Sequence, residues 1–149
     1  MGKLTWDNIT IPFTNLDLIN LYSQWDWLLV DTFKPILMST FGDLFFSKKD
    51  NRVYFLDTLT GSVELISNSI NEFETFINNI KNQEKYLQSI LVQLLREKNM
   101  VLDKAQCYYH NVPPILGGSY ETSNIEIINL SIGLSMLGQM HKKLKEVRI

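Results

Sequence analysis

One cysteine and two histidines limit the chemistry open to this 149-residue chain. Cys107 and His110 stand as Cys-x-x-His, and His141 lies near the C-terminus. A structural zinc site needs four ligands and a catalytic one three, so carboxylates would have to complete any metal set. In an extended segment, residues three apart point to opposite faces, which separates Cys107 from His110. A buried thiol and two unrelated histidines is the plainer reading, and no metal or cofactor is expected. A small hydrolase using His141 and His110 is the enzymatic alternative. It requires a histidine and an acid converging on one pocket within hydrogen-bond reach.

Other motifs are weaker still. Leu116-Gly117-Gly118-Ser119-Tyr120 is glycine-rich but lacks the glycine spacing and lysine of a phosphate loop. It reads as a turn needing positive φ, and alternatively as a shaped protein-contact loop, because a rigid loop meets a partner at low ordering cost. Asp50-Asn51 and Asp57 to Gly61 lack the spacing and terminal glutamate of a calcium loop, and read as hairpin turns. Lys142, Lys143, Lys145 and Arg148 lie where cations oppose the negative end of a helix dipole, which is the plainer reading than a nucleic-acid patch. Trp25-Asp26-Trp27 places two indoles two positions apart. On a helix they diverge by about 200°, so one is core and the other is packed under a loop or exposed as an interface anchor.

Composition supplies the setting. At 17.3 kDa, with 45% hydrophobic and 20% charged residues, the chain is long and apolar enough for one globular domain spanning 1–149. One cysteine excludes an intrachain disulfide. A net charge of −2 supplies no global field for nucleic acid. The charge is nonetheless divided: residues 1–80 carry ten acids against five bases, and residues 81–149 six against nine. The start has no apolar run of signal length. Gly2 is followed at position 6 by Trp6, not the Ser or Thr of a myristoylation site. No stretch approaches a membrane span, so a cytoplasmic chain with a reduced Cys107 is expected, without direct nucleic-acid or membrane partners.

The elements that must position these residues follow from periodicity. Asn15 to Leu29 predicts a helix with Thr14 as N-cap and one apolar face through Leu18, Tyr22 and Trp25, ended at Lys34-Pro35. Ile36 to Ile66 predicts a β-meander with strands at Ile36–Met38, Asp43–Phe46, Arg52–Leu56 and Ser62–Ile66, the third central because it is apolar on both faces. Ser69-x-x-Glu72 is a capping box opening a helix with Ile70, Phe73, Phe76, Ile77 and Ile80 as its buried stripe. A second helix runs from about Gln83 to Lys98. Gln106 to His110 is ambiguous but extended, Val112-Pro113-Pro114 cannot be helical, and Tyr120–Asn124 and Glu126–Asn129 look extended. Ser131 to Val147 closes the chain as a helix with Leu134, Leu137, Met140, His141 and Leu144 on one side. Segregated strands and helices make an α+β fold: an antiparallel meander packed on one face by several helices, with a C-terminal helix.

Several segments together carry a family resemblance. They are Trp25-Asp26-Trp27-Leu28-Leu29, Thr40-Phe41-Gly42-Asp43-Leu44-Phe45-Phe46, Val53-Tyr54-Phe55-Leu56-Asp57-Thr58 with Gly61, Pro113-Pro114-Ile115-Leu116-Gly117-Gly118-Ser119-Tyr120 with Asn124-Ile125-Glu126, and Leu134 to His141. In order and spacing the chain resembles the Tdi-type immunity proteins of bacterial type VI secretion, over about residues 22–146. It is more distantly similar to the SMI/KNR-like (SUKH) immunity superfamily. The resemblance implies a non-enzymatic cytoplasmic protein that binds and blocks a cognate toxin, a DNA-degrading effector for the Tdi type. Larger relatives carry a preceding GAD-like domain, and about twenty residues precede the match here.

The resulting expectation is an immunity or antitoxin-like protein acting by occlusion, an acidic, aromatic-bearing surface covering a nuclease's basic face. The anticipated contacts are Asp26 and Trp27, Asp50 and Asn51 on a hairpin, and Ser119 and Glu121 beside the glycine turn. An adaptor or homo-oligomerisation module without a toxin partner is the remaining alternative.

Overall fold

The structure is a computed structural model that describes residues 4–147. Gly2, weighed as a modification site, and Arg148, the last of the basic run, lie outside the described residues.

The meander forms as expected. Strands β1 (Lys34–Met38), β2 (Leu44–Ser47), β3 (Val53–Asp57) and β4 (Ser62–Ser67) pair antiparallel in that order. Proline does not end the preceding segment at residue 35. Pro35 sits inside β1, an edge strand, beside a register irregularity between Pro35 and Leu37. All four residues of β2 are buried, so the sheet is covered on both sides. Phe45 and Phe55 join one apolar cluster with Phe73, Tyr86, Leu87 and Leu95. Leu44, Phe46 and Leu56 join another with Tyr22, Trp25, Leu130 and Leu134. Several helices thus pack one face, as expected, and the N-terminal segment and the last helix also cover the other.

The first predicted helix is broken. Before it, α1 (Trp6–Ile9) leads to the Thr10–Ser39 bridge that extends the edge of β1. Only α2 (Leu18–Leu21) and a 3-10 turn at Ser23–Trp25 follow. The N-cap is Asp17, which accepts from the Asn20 amide, not Thr14. Hydrogen bonds from distant residues explain the break. The Tyr22 hydroxyl donates to the Gly42 carbonyl at 2.7 Å, and the Trp25 indole donates to the Leu134 carbonyl at 2.9 Å. The Trp27 indole donates to Gln24 and Gly138 carbonyls at 3.0 and 3.2 Å. Both indoles therefore turn to the same helix, which a regular helix forbids at that spacing. Their rings stack 6.0 Å apart.

The middle helices are α3 (Ile70–Ile77), α4 (Ile80–Leu87) and α5 (Ser89–Glu97). Ser69 caps α3 by accepting from the Glu72 amide, while Glu72 reaches one residue further back than expected, to the Asn68 amide. The predicted single helix through 83–98 breaks at Gln88, whose φ is +52°. That break turns Val92 and Leu95 inward and leaves Ile90 and Leu94 exposed. Ile70 and Ile80, assigned to a buried stripe, are likewise exposed; Phe73 and Ile77 carry the α3 core contact.

Residues 106–129 form a second, two-stranded sheet of β5 (Gln106–His110) and β6 (Ile125–Asn129). It is tied to the meander by the Tyr108 amide donating to the Thr40 carbonyl. The segment expected to be extended at Tyr120–Asn124 instead ends in a 3-10 turn, Thr122–Asn124, and another begins at Pro114, where a proline needs no amide donor. Helix α6 (Leu130–Val147) closes the fold, with Leu134, Leu137 and His141 buried as read from its periodicity. At Gly138 the Gln24 carbonyl oxygen would lie 2.6 Å from an added Cβ, so glycine permits the close docking of the tryptophan turn.

Candidate functional site

The histidines are accounted for separately. His141 is buried, and its Nε2–H donates to the Thr58 carbonyl at 2.8 Å; a carbonyl only accepts, so the proton sits on Nε2. Its ring lies 5.7 Å from that of Trp25. His110 is also buried, between Phe41 at 5.4 Å and Tyr120 at 5.6 Å. Burial pulls its pKa down to about 4, so the ring is neutral at physiological pH. Burial pushes the Cys107 thiol up to about 12, and Asp43 adds to that, which leaves it un-nucleophilic. A 140 Å³ cavity beside His141 is lined by Trp27, Thr60, Gly61, Leu144 and Lys145, with no carboxylate. Among the described residues no cluster of three or more metal-binding side chains occurs.

The acids of the first half serve the fold in part. Asp43 is buried, accepting from the Ser39 hydroxyl and from the Thr58 amide and hydroxyl. Burial, with the nearby charge of Asp57, raises its pKa from 3.8 to about 6. Asp50 accepts from the Tyr54 hydroxyl and the Arg52 amide, and Asp57 from the Leu59 and Thr60 amides; both aspartates shape their own hairpin turns.

The loop joining β5 to β6 is different. Residues 111–124 fold around one side chain. Asn124 Nδ2 donates to the carbonyls of Val112 at 2.9 Å and Ser119 at 2.8 Å, and its Oδ1 accepts from the Val112 amide at 3.0 Å. The Asn111 amide donates to the Asn124 carbonyl at 2.8 Å, continuing the ladder beyond His110 and Ile125. Amides of Leu116, Gly117 and Gly118 close the proline turn on the carbonyls of Pro113 and Pro114. Gly117 has a φ of +96°, and a Cβ on Gly118 would collide with the Val112 carbonyl oxygen, so both glycines are required by geometry. This rigid loop exposes apolar side chains: Val112 is 48%, Leu116 54% and Tyr120 56% exposed. Tyr120 stands on the His110–Phe41 stack, so the exposed ring is seated on the core.

The six residues anticipated from sequence lie in three places. Ser119 and Glu121 are exposed on this loop, where Ser119 Oγ accepts from the Glu121 amide. Asp26 is exposed beside α6; Trp27 is half-buried, stacked on Trp25 with the Lys145 ammonium 5.3 Å over its ring. Asp50 and Asn51 are exposed at the β2–β3 hairpin tip, among Lys48, Lys49 and Arg52. That tip and the Thr58 turn lie at opposite ends of β3, whose four steps from Val53 to Asp57 span about 13 Å at the usual rise per residue. Sequence reading missed Val112, Leu116 and Tyr120. Their signal was apolar residues inside a proline–glycine turn, where helix or strand periodicity gives them no buried face.

A family model described as "T6SS immunity protein Tdi1, C-terminal" matches residues 67–141, half of the chain. The match runs from the end of β4 into α6 and contains the whole 111–124 loop. No curated protein matches the chain. Among solved structures, the crystal structure of Atu4351 from Agrobacterium tumefaciens is similar, with a TM-score of 0.51 and 18% identity over 90% of this chain and 77% of that one. At that identity the likeness concerns the fold alone. Among the described residues, no helix is long and apolar enough to cross a membrane.

Proposed function

The chain belongs to the family of the C-terminal region of the type VI secretion immunity protein Tdi1, and from this membership we propose that it binds a cognate effector and blocks it by occlusion. The observation that carries the reading is the 111–124 loop: internally fastened, apolar at its tip and wholly within the family match. A preorganised loop loses little conformational freedom on binding, and an exposed tyrosine seated on the core is the usual kind of interface anchor. Tyr120 and Leu116 are the proposed anchors, with Ser119 and Glu121 as polar contacts around them. Asp26 and Trp27 form a second proposed contact, and the Asp50–Asn51 tip a third.

The proposed effector is a cytoplasmic nuclease. The acids Glu121 and Asp26 would meet its basic substrate-binding face, and such complementarity chiefly raises the association rate. Inhibition then needs no chemistry from the immunity protein. The test is co-expression with the effector encoded beside it. Rescue of growth together with a co-purifying complex supports the reading; toxicity unrelieved and no complex overturn it.

A further inference from the structure

A second concavity lies away from the contact loop. A cleft of about 730 Å³ opens between the Asp7–Leu16 segment and the stretch from Arg96 to Tyr108. That volume is in the range of small-ligand sites. Its lining includes a buried group with no use in the fold: Thr40 is 2% exposed, and its hydroxyl makes no hydrogen bond among the described residues. Buried hydroxyls are ordinarily paired, so an orphan at a cleft wall marks a position for a ligand's polar atom.

The charge in the lining selects the ligand. Arg96 is half-buried at the end of α5, close enough to Tyr108 for its charge to act on that phenol, and it forms no ion pair among the described residues. An unpaired, half-buried guanidinium favours a planar anion held by two parallel hydrogen bonds. The exposed Asp7, Asp103 and Lys104 also line the cleft, so with Arg96 its charges balance and suit a singly charged ligand better than a multiply charged phosphate. Ile11, Leu16 and Leu102 supply an apolar wall. The rim is fixed in advance: the Asp103 amide donates to Gln106 Oε1 at 2.7 Å, the Lys104 amide to Asp103 Oδ1 at 2.8 Å, and Ala105 holds a φ of +57°.

We propose that this cleft binds a monocarboxylate with an apolar substituent, its carboxylate on Arg96 and the Thr40 hydroxyl and its apolar group against Ile11, Leu16 and Leu102. A free small acid and a peptide C-terminus share this chemistry. The proposal is independent of the effector reading, because it concerns the isolated protein.

The test is NMR titration of the folded protein with N-acetyl-leucine and with its uncharged amide. Binding of the acid is expected to shift resonances in 7–16 and 102–108, with the amide at least tenfold weaker. Arg96→Gln should weaken the acid at least tenfold. Thr40→Val should weaken it about threefold while leaving the melting temperature unchanged or higher, which a merely structural hydroxyl would not do. A tetrapeptide ending in leucine that binds tighter than N-acetyl-leucine assigns a chain terminus; equal binding assigns a free acid. Equal affinity for acid and amide, or shifts confined elsewhere, overturns the proposal on the unsubstituted protein alone.

Discussion

Asn124 and Val112 are joined by a reciprocal pair of hydrogen bonds, amide to side-chain oxygen at 3.0 Å and side-chain nitrogen to carbonyl at 2.9 Å. The asparagine thus mimics a strand residue and closes a loop that two prolines and two glycines shape but do not fasten. Replacing it with alanine removes three hydrogen bonds at a partly exposed site, where water replaces some of them. Asn124→Ala is expected to cost about 1–2 kcal/mol of stability and to release amide protection across 112–120. Effector affinity should fall at least tenfold as the loop loses its preorganisation. Hydrogen exchange and a binding titration check this; undiminished affinity with a mobile loop would remove the loop from the interface.

The two glycines should respond differently to alanine. Gly117 faces open space, so only its positive φ opposes a Cβ, at about 1 kcal/mol. At Gly118 the collision is with backbone, which cannot step aside without opening the turn. Gly118→Ala is expected to cost about 1–3 kcal/mol and to perturb the Asn124 contacts. Chemical denaturation of the two variants, read side by side, checks the order.

Tyr120 and Leu116 are more than half exposed, so truncating them should leave stability within about 0.5 kcal/mol. Under the occlusion reading, Tyr120→Ala weakens effector binding by about 2 kcal/mol, roughly thirtyfold, mainly through faster dissociation. Glu121→Lys should instead slow association and weaken its salt dependence. Surface plasmon resonance separates the two; unchanged rates in both variants would place the interface elsewhere.

His110 makes the fold acid-sensitive. Its pKa in the folded state is about 4, below the ordinary 6.5, because burial disfavours the imidazolium. The unfolded chain therefore takes up a proton first. The histidine's contribution is fully present above pH 6.5 and is lost as pH falls towards about 4. Asp43 acts with the opposite sign: its raised pKa favours the folded state as pH falls from about 6 towards 3.8. The difference in stability between the parent and His110→Phe, which keeps the stack on Phe41, isolates the histidine. That difference should change between pH 6.5 and 4 and be flat above.

Cys107 is 2% exposed with its pKa raised by burial and by Asp43. A thiol reagent at pH 8 should leave it unmodified in the folded protein for hours and label it within minutes in denaturant. Rapid labelling without denaturant would show the β5–β6 sheet opening from α6.

The meander, the capped helix at Ser69 and the closing helix were legible in the sequence because each is settled locally. The unbroken apolar run Val53–Leu56 marks a strand covered on both faces, and the 3.6-residue stripe from Leu134 to His141 marks a helix with one apolar side, whatever lies opposite. The single cysteine and the absence of a catalytic spacing were equally plain from residue types. What the local pattern could not contain was the partner. The helical stripe through Leu18, Tyr22 and Trp25 is genuine, yet carbonyls at Gly42 and Leu134 draw the side chains out of helical register. The break at Gln88 is likewise set by how α4 and α5 pack on Phe45 and Phe55. The contact loop shows the division most clearly. Its prolines and glycines announced a turn, and the sequence determined that it would be rigid and glycine-dependent. Only the tertiary structure decided that Val112, Leu116 and Tyr120 face outward and that the Thr40 hydroxyl lacks a partner among the described residues. Burial and hydrogen-bond completion are properties of what surrounds a residue, and residues far apart in the chain supply those surroundings.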